Sequence, residues 1–390
     1  MSPRNILTTA TLVAAFIFIL YLTQQSSTHP AAIENVHEVS GVVISVDNSE
    51  IIRSGAGSVG YQKATVVLSD SRWKGEKVDA ANLLNGQLEM DEVYAPGDKI
   101  LLAIQIQDDK ITSARAINTY RQNWELALFA VFAVALVLYA RFIGVKALCS
   151  FVAALAALWY FYIPNLLEGV SPLPLSLAVL TLLSMVIIFT VAGVTRHGIA
   201  AFLGTVCGLA ATLVLTLYFG DKLDLAGMTT PFSTLLLVQG AYHLNFQHIF
   251  YAAVLLGASG AAMDIAMDVS ASMNEIKSKR PDIGTRELIE SGFTIGRQVI
   301  GTMATTLLLA YSGGYLTMLM VFVSQGTSAS RIVNMKLVAA EIFRVLIGSI
   351  GLLMVAPATA VIAGVLLNTE LGRKRSPSLQ SAVSEQESSS

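Results

Sequence analysis

The sequence predicts an α-helical polytopic membrane protein of about eight transmembrane helices, carrying a small extracytoplasmic β-barrel domain of the OB type. Three observations predict it. The chain of 390 residues is 54% hydrophobic and only 13% charged, against about 25% charged in soluble domains, and its mean hydropathy is +0.63. Apolar runs long enough to cross a bilayer, about 20 residues each, recur along most of its length. One block of different texture, rich in short strand patterns and turn residues, interrupts them after the first run.

The first run, ILTTATLVAAFIFILYL from Ile6, reads as an N-terminal membrane anchor helix within residues 1–27. It lacks an A-x-A cleavage pattern, so an uncleaved anchor is expected rather than a signal peptide. Residues 28–121 form the expected extracytoplasmic β domain. VSGVVISV, KATVVLSD, DKILLAIQIQ and KITSARAIN supply strand signals, and SGAGSVG (54–60), APGD (95–98) and the DD before Lys110 supply turns. Short strands in so small a unit suggest a compact barrel. No stripe of aromatic and basic residues marks it as a binding face for oligonucleotides, so a structural or partner-docking cap is the expected role.

Residues 122–370 read as a seven-helix membrane domain with spans near 124–141, 145–163, 174–194, 198–219, 247–268, 298–312 and 337–366. After Gly313 and Gly314, YLTMLMVFV either extends the span at 298–312 or forms a short re-entrant or interfacial piece. The loop from 274 to 297 contains a short surface helix candidate, with Thr285 as N-cap and Leu288, Ile289 and Phe293 on one face. The serine-rich residues 371–390 lack periodicity and are expected to be a disordered tail.

Basic residues orient the spans. With the N-terminus inside, Arg4, Arg141, Lys146, Arg196, Lys277, Lys279, Arg280, Arg286, Arg297, Arg373, Lys374 and Arg375 collect on the cytoplasmic side. The short outer loops keep Lys222, Arg331 and Lys336. This bias places both termini in the cytoplasm. Net charge is close to balance, with 25 basic and 27 acidic residues, so no global field calls for a nucleic-acid partner. Cys149 and Cys207 both lie in apolar runs and are expected to be buried, packed as small hydrophobes.

Polar groups inside the spans carry the functional signal. Asp264 and Asp268 are four residues apart in GASGAAMDIAMDVSASMNEI, which places them on one helix face about 6 Å apart along the axis. Gly257 and Ala261 share that face, so it is small and then acidic. An ionised carboxylate in lipid near mid-bilayer costs at least ~2.5–3.5 kcal/mol, so this face must meet protein or water. Three readings stay open: interfacial carboxylates paired with loop cations, a cation or proton site, and packing alone. Thr302, Thr305 and Thr306 form a hydroxyl stripe on the next span, able to reach Asp264 or to bond back to their own helix. Arg297 is the expected charge partner of Asp268. Glu341 and Arg344, three apart, are spaced for an intrahelical ion pair. His243 and His248 lack the spacing of a helical zinc site, and no P-loop, GxSxG, HExxH or GxGxxG occurs in a plausible setting. No catalytic residue, metal or cofactor is therefore expected.

GASGAAMDIAMDVSASMNEI, GRQVIGTMATTLLLAYSGGYL and AAEIFRVLIGSIGLLMVAPATAVIA resemble the signature blocks of YibE/F-like bacterial membrane proteins. WKGEKVDAANLL, APGDKILL and RFIGVKAL extend the resemblance over most of the chain. It implies a membrane topology and very little chemistry, because that family has no established activity. The Asp-bearing helix, basic inner loop and Arg-started Thr-rich helix are also similar to one half of the Sec export accessory subunits of the proton-driven RND superfamily. That second likeness implies a proton-conducting centre near Asp264, Asp268, Arg297 and Thr305. The expected function is that of a transporter-like or permease-like protein whose carboxylates serve a small solute, cation or proton. The alternative is a non-transporting accessory or assembly protein whose β domain docks a protein partner. Besides that solute or protein, the expected partner is the lipid bilayer.

Overall fold

A computed structural model describes residues 36–369 except 56, 70, 71, 89, 108 and 109. The anchor expected in 1–27 and the tail expected in 371–390 lie outside the described residues. The described chain groups into two compact units, one ending at Gly144 and one beginning at Val145.

The first unit contains five strands: β1 (Val36–Ser54), β2 (Gly57–Leu68), β3 (Lys77–Asn85), β4 (Lys99–Gln107) and β5 (Lys110–Thr119). They close into a barrel in the order β1-β2-β3-β5-β4. Every neighbouring pair is antiparallel except β3 and β5, which pair in parallel at Ala80↔Ala114 and Ala81↔Arg115. Alternation dictates the core: Ala64, Val66 and Leu68 of β2, Val78, Ala80 and Leu84 of β3, and Ile100, Leu102 and Ile104 of β4 all point inward. β1 closes the barrel because its first half pairs with β4 and its second with β2. Register shifts at Val43/Ser45 and Asp47/Glu50 bend it between those duties. Gly60, with φ 123, sits where a Cβ would run into the Glu50 backbone, so this irregular stretch requires glycine.

A buried amide network ties the loop before β4 to the barrel. Gln62 Oε1 accepts from Tyr94 N at 3.0 Å and from Asn82 Nδ2 at 3.0 Å, while its Nε2 donates to Tyr94 O and Asn48 Oδ1. The same loop clamps the end of β5, since the Glu92 carboxylate accepts from Thr119 N at 2.8 Å, from the Thr119 hydroxyl and from Arg121. Burial works against ionising Glu92, but the Thr119 and Arg121 bonds outweigh it and hold its carboxyl below the usual range. Burial, reinforced by the Glu92 charge, pushes the Tyr94 phenol up to about 12.

Arg121 leads directly into α1 (Gln122–Ala157), which continues through a π-helical turn at Leu158–Tyr162 into α2 (Ile163–Leu167). Then follow α3 (Pro172–Ala192), α4 (Arg196–Lys222), α5 (Ser233–Val238), α6 (Phe246–Lys279), α7 (Thr285–Gly314), α8 (Leu316–Ser324), α9 (Ala329–Val333) and α10 (Lys336–Asn368). Among the described residues, five helical runs are long and apolar enough to cross a membrane, and α7 with α8, bent by 69°, makes a sixth if counted as one span. The spans expected at 124–141 and 145–163 both fall in the run Gln122–Leu167. That run breaks at Arg141, where φ is 51 and ψ −125. A Cβ on Gly144 would meet the Leu136 carbonyl. Residues eight apart on a straight helix are about 12 Å apart, so the backbone turns sharply within residues 136–144.

In the second unit α10 is the hub, packed against α4, α6 and α7. Two glycine pairs at four-residue spacing let it approach closely: Gly204 and Gly208 of α4 lie against Thr359 and Val355, and Gly292 and Gly296 of α7 lie against Ala360 and Ala356. Gly351 of α10 returns the contact against Thr212. Buried hydroxyls of α3 and α4, including Ser184, Thr205, Thr212 and Thr216, donate to carbonyls four residues back and so are satisfied within their own helix.

Two expectations are corrected here. The surface helix expected at 285–293 is the first part of α7, which runs unbroken through Gly292 and Gly296 from its N-cap at Gly284. Those glycines are contact points for α10, not breaks. Cys149 and Cys207 are exposed, because an apolar helix face in a membrane protein turns toward lipid as readily as toward protein.

Candidate functional site

Asp264 and Asp268 stand on α6, whose inner face is fully buried at Ile265, Ala266, Val269 and Met273. The helix period therefore forces the opposite face outward. Gly257, Gly260, Asp264, Asp268 and Ala271 are all exposed there, and a Cβ on Gly260 would meet nothing within 4 Å. Neither carboxylate has a hydrogen bond or ion pair to another described residue. The cations of the nearby loop are engaged locally: Arg280 pairs with Glu287 at 2.8 Å, Lys279 with Glu275 and Arg286 with Glu290. Lys277 donates to the carbonyls of Pro281 and Ile283.

The other residues singled out in the sequence divide sharply. Thr302 donates to Val299 O at 3.0 Å and Thr306 to Thr302 O at 3.1 Å, so both hydroxyl protons are spent on α7 itself. Thr305 is exposed and makes no hydrogen bond to a described side chain. Arg297 is also exposed and does not pair with Asp268, which corrects that expectation. The reason lies in α7: Gly292 and Gly296 face α10, so Arg297, one residue on, is turned away from the packed seam.

Glu341 and Arg344 form the expected pair, with Nη1 to Oε1 at 3.3 Å and side chains only 12% and 16% exposed. The guanidinium also lies over the Phe250 ring, 5.6 Å from its centroid. Tyr311 and Tyr315 stand close enough to feel both charges. Glu341 Oε2 and Arg344 Nε are sealed from solvent and lack partners. Beside the pair, in the elbow between α7 and α8, lies a cavity of about 200 Å³ bounded by Tyr311, Ser312, Tyr315, Met318, Val338 and Glu341 among others. The two tyrosines were not picked out in the sequence, although their four-residue spacing around the Gly-Gly pair in AYSGGY was a usable signal. Among the described residues, no group of three His, Cys, Asp or Glu side chains is placed to hold a metal.

Apolar helices of bilayer length, with ionisable side chains set within them, define a polytopic membrane protein. Within that class the chain belongs to the YibE/F-like family, whose pattern matches residues 128–369. The match takes in the membrane helices and leaves the barrel outside it. No curated protein and no solved structure matches the chain.

Proposed function

We propose that this protein is a permease-like component of a bacterial cytoplasmic membrane, in which Asp264 and Asp268 bind a cation or relay protons. One observation carries the reading: two carboxylates lie four residues apart within an apolar span, exposed and without a protein partner among the described residues. Ionisable groups so placed are costly and mark ion or proton paths. Thr305, an exposed hydroxyl of α7 without a hydrogen bond to another described side chain, adds a neutral oxygen that is free to join such a path.

The topology that supports this reading has eight spans. The run Gln122–Leu167 has 46 residues, about 69 Å at 1.5 Å per residue, more than twice a hydrocarbon core of about 30 Å. We therefore count two spans divided at Arg141. The bent pair α7–α8 makes one more, and the apolar segment from Ile6 completes the set. The Lys and Arg bias then puts both termini in the cytoplasm and the barrel outside. Strand order β1-β2-β3-β5-β4 with a parallel β3·β5 pair supports the OB-type reading of the barrel.

The test is flux in proteoliposomes, with Asp264→Asn and Asp268→Asn compared at equal reconstituted amounts. Loss of cation or proton movement in Asp264→Asn supports the site, and unchanged flux rejects it. A second reading, a non-enzymatic accessory protein whose barrel docks a protein partner, draws on the same outward face, since a partner helix would meet the carboxylates there. It predicts that Asp substitutions lower the yield of folded or complexed protein while no flux is present to lose.

A further inference from the structure

We infer that the elbow between α7 and α8 is a binding site for a small neutral molecule with an apolar body and one hydroxyl, an aliphatic alcohol or a phenol, whose hydroxyl donates to Glu341. The inference is independent of the Asp264 reading and uses no residue of α6.

Three observations meet at this place. The backbone turns by 69° between Gly314 and Leu316, and irregular backbone at membrane depth persists where it is enclosed by protein or lines a cavity. Broken helices of this kind line the substrate sites of transporters in general. The cavity in the elbow is about 200 Å³, somewhat larger than the roughly 150 Å³ apolar cavity that accommodates benzene. Its walls, Leu308, Met318, Val338 and Leu346 among them, are apolar, while Tyr311, Ser312, Tyr315 and Glu341 supply the polar edge.

The unpartnered atoms set the ligand chemistry. Glu341 already has Arg344 on one oxygen, and its other oxygen, Oε2, makes no hydrogen bond, the Tyr315 phenol standing near the carboxylate without closing one in good geometry. A buried acceptor left without a donor costs about 1–3 kcal/mol or more when charged, so a ligand hydroxyl placed there recovers what the fold leaves unspent. A cation is disfavoured, because Arg344 stands beside Glu341 and already balances its charge. An anion is disfavoured by Glu341 itself. A neutral hydroxyl suits the pair, and the apolar walls suit a ring or a chain of about six to eight carbons, scaled from the benzene-sized cavity.

The experiment uses the full chain in lipid nanodiscs and two probes of equal shape, 4-fluorophenol and 4-fluorotoluene, read by fluorine NMR against empty nanodiscs. The phenol is expected to bind about tenfold more tightly than the toluene, the ratio of one charge-assisted hydrogen bond near 1.4 kcal/mol. Glu341→Gln should cut that preference to below about threefold, and Val338→Phe, which fills the cavity without touching the charges, should abolish binding of both. Ser312→Leu fills the same space from α7 should Val338→Phe fail to fold. Equal binding of the two probes, binding no greater than to empty nanodiscs, or phenol binding unchanged in a folded cavity-filling variant overturns the inference.

Discussion

Gly204→Ala tests the helix packing on which every membrane site depends. A Cβ at Gly204 would overlap the Thr359 side chain and lie 3.1 Å from Thr359 Cα. Carbon atoms prefer about 3.5–4.0 Å, so α4 and α10 would have to part by roughly 0.4–0.9 Å on that scale. Thr359 is fully buried. The same seam carries the Gly208–Val355 and Gly351–Thr212 contacts, so separation at one point loosens all three. Overpacking of this kind costs about 1–3 kcal/mol, and Ala recovers up to about 1 kcal/mol of helix propensity. The net loss against wild type is then about 0–2 kcal/mol, and about 1–3 kcal/mol against Ala controls that share the propensity gain. At roughly 2–4 °C per kcal/mol for a unit of this size, Tm should lie about 2–12 °C below those controls. Fluorescence-detected gel filtration after a heating ramp reads the change. Gly260→Ala and Gly301→Ala, where a Cβ meets nothing within 4 Å, are the controls. If Gly204→Ala melts with those controls, the close approach of α4 to α10 is wrong.

Gln62→Ala should cost the barrel about 2–3 kcal/mol, because it strands Tyr94 N and Tyr94 O in the interior and leaves Asn82 Nδ2 with only its bond to Glu92 O; faster proteolysis between Asn85 and Lys99 is the readout. Glu92 has a folded pKa below its unfolded value, so its stabilisation is complete above the unfolded carboxyl pKa near ~4.3 and is lost as pH falls through the folded value. Glu92→Gln should therefore lower stability at pH 7 by about 1 kcal/mol, discounted for its partial exposure, and should flatten the acid dependence of melting. Arg344→Leu leaves Glu341 with no cation in a mostly buried place and should destabilise by about 3–5 kcal/mol. Adding Glu341→Leu should restore most of that loss, which melting of the single and double variants compares.

The alternating strands and long apolar helices were legible because each rests on a local period. β2 and β4 show the alternation plainly, and α3, α4 and α10 were placed to within a few residues, whereas α6 begins where expected but runs on to Lys279, past the expected end at 268. β3 was not, because KVDAANLLN mixes Asp, Asn and Ala, which are poor strand formers, and only the inward set Val78, Ala80, Asn82 and Leu84 betrays it. The unity of α7 was missed because Gly292 and Gly296 look like breaks until their partners on α10 are known. The Glu341–Arg344 pair was readable from spacing on one helix. Arg297 with Asp268, and the enclosure of the pair by Tyr311 and Tyr315, depend on how separate helices pack, which no local pattern encodes. Exposure at Asp264 and at the two cysteines was illegible for the same reason: lipid-facing and protein-facing residues of a bilayer helix share one composition.

The most direct measurement of the central claim is ion movement through the purified full chain in proteoliposomes loaded with a pH-sensitive dye, under an imposed potential and across a series of external cations. The account predicts proton or cation flux above empty liposomes that Asp264→Asn abolishes while folded yield is unchanged and that Glu341→Gln leaves largely intact. Flux that survives Asp264→Asn, or wild-type protein indistinguishable from empty liposomes with every cation, would contradict it.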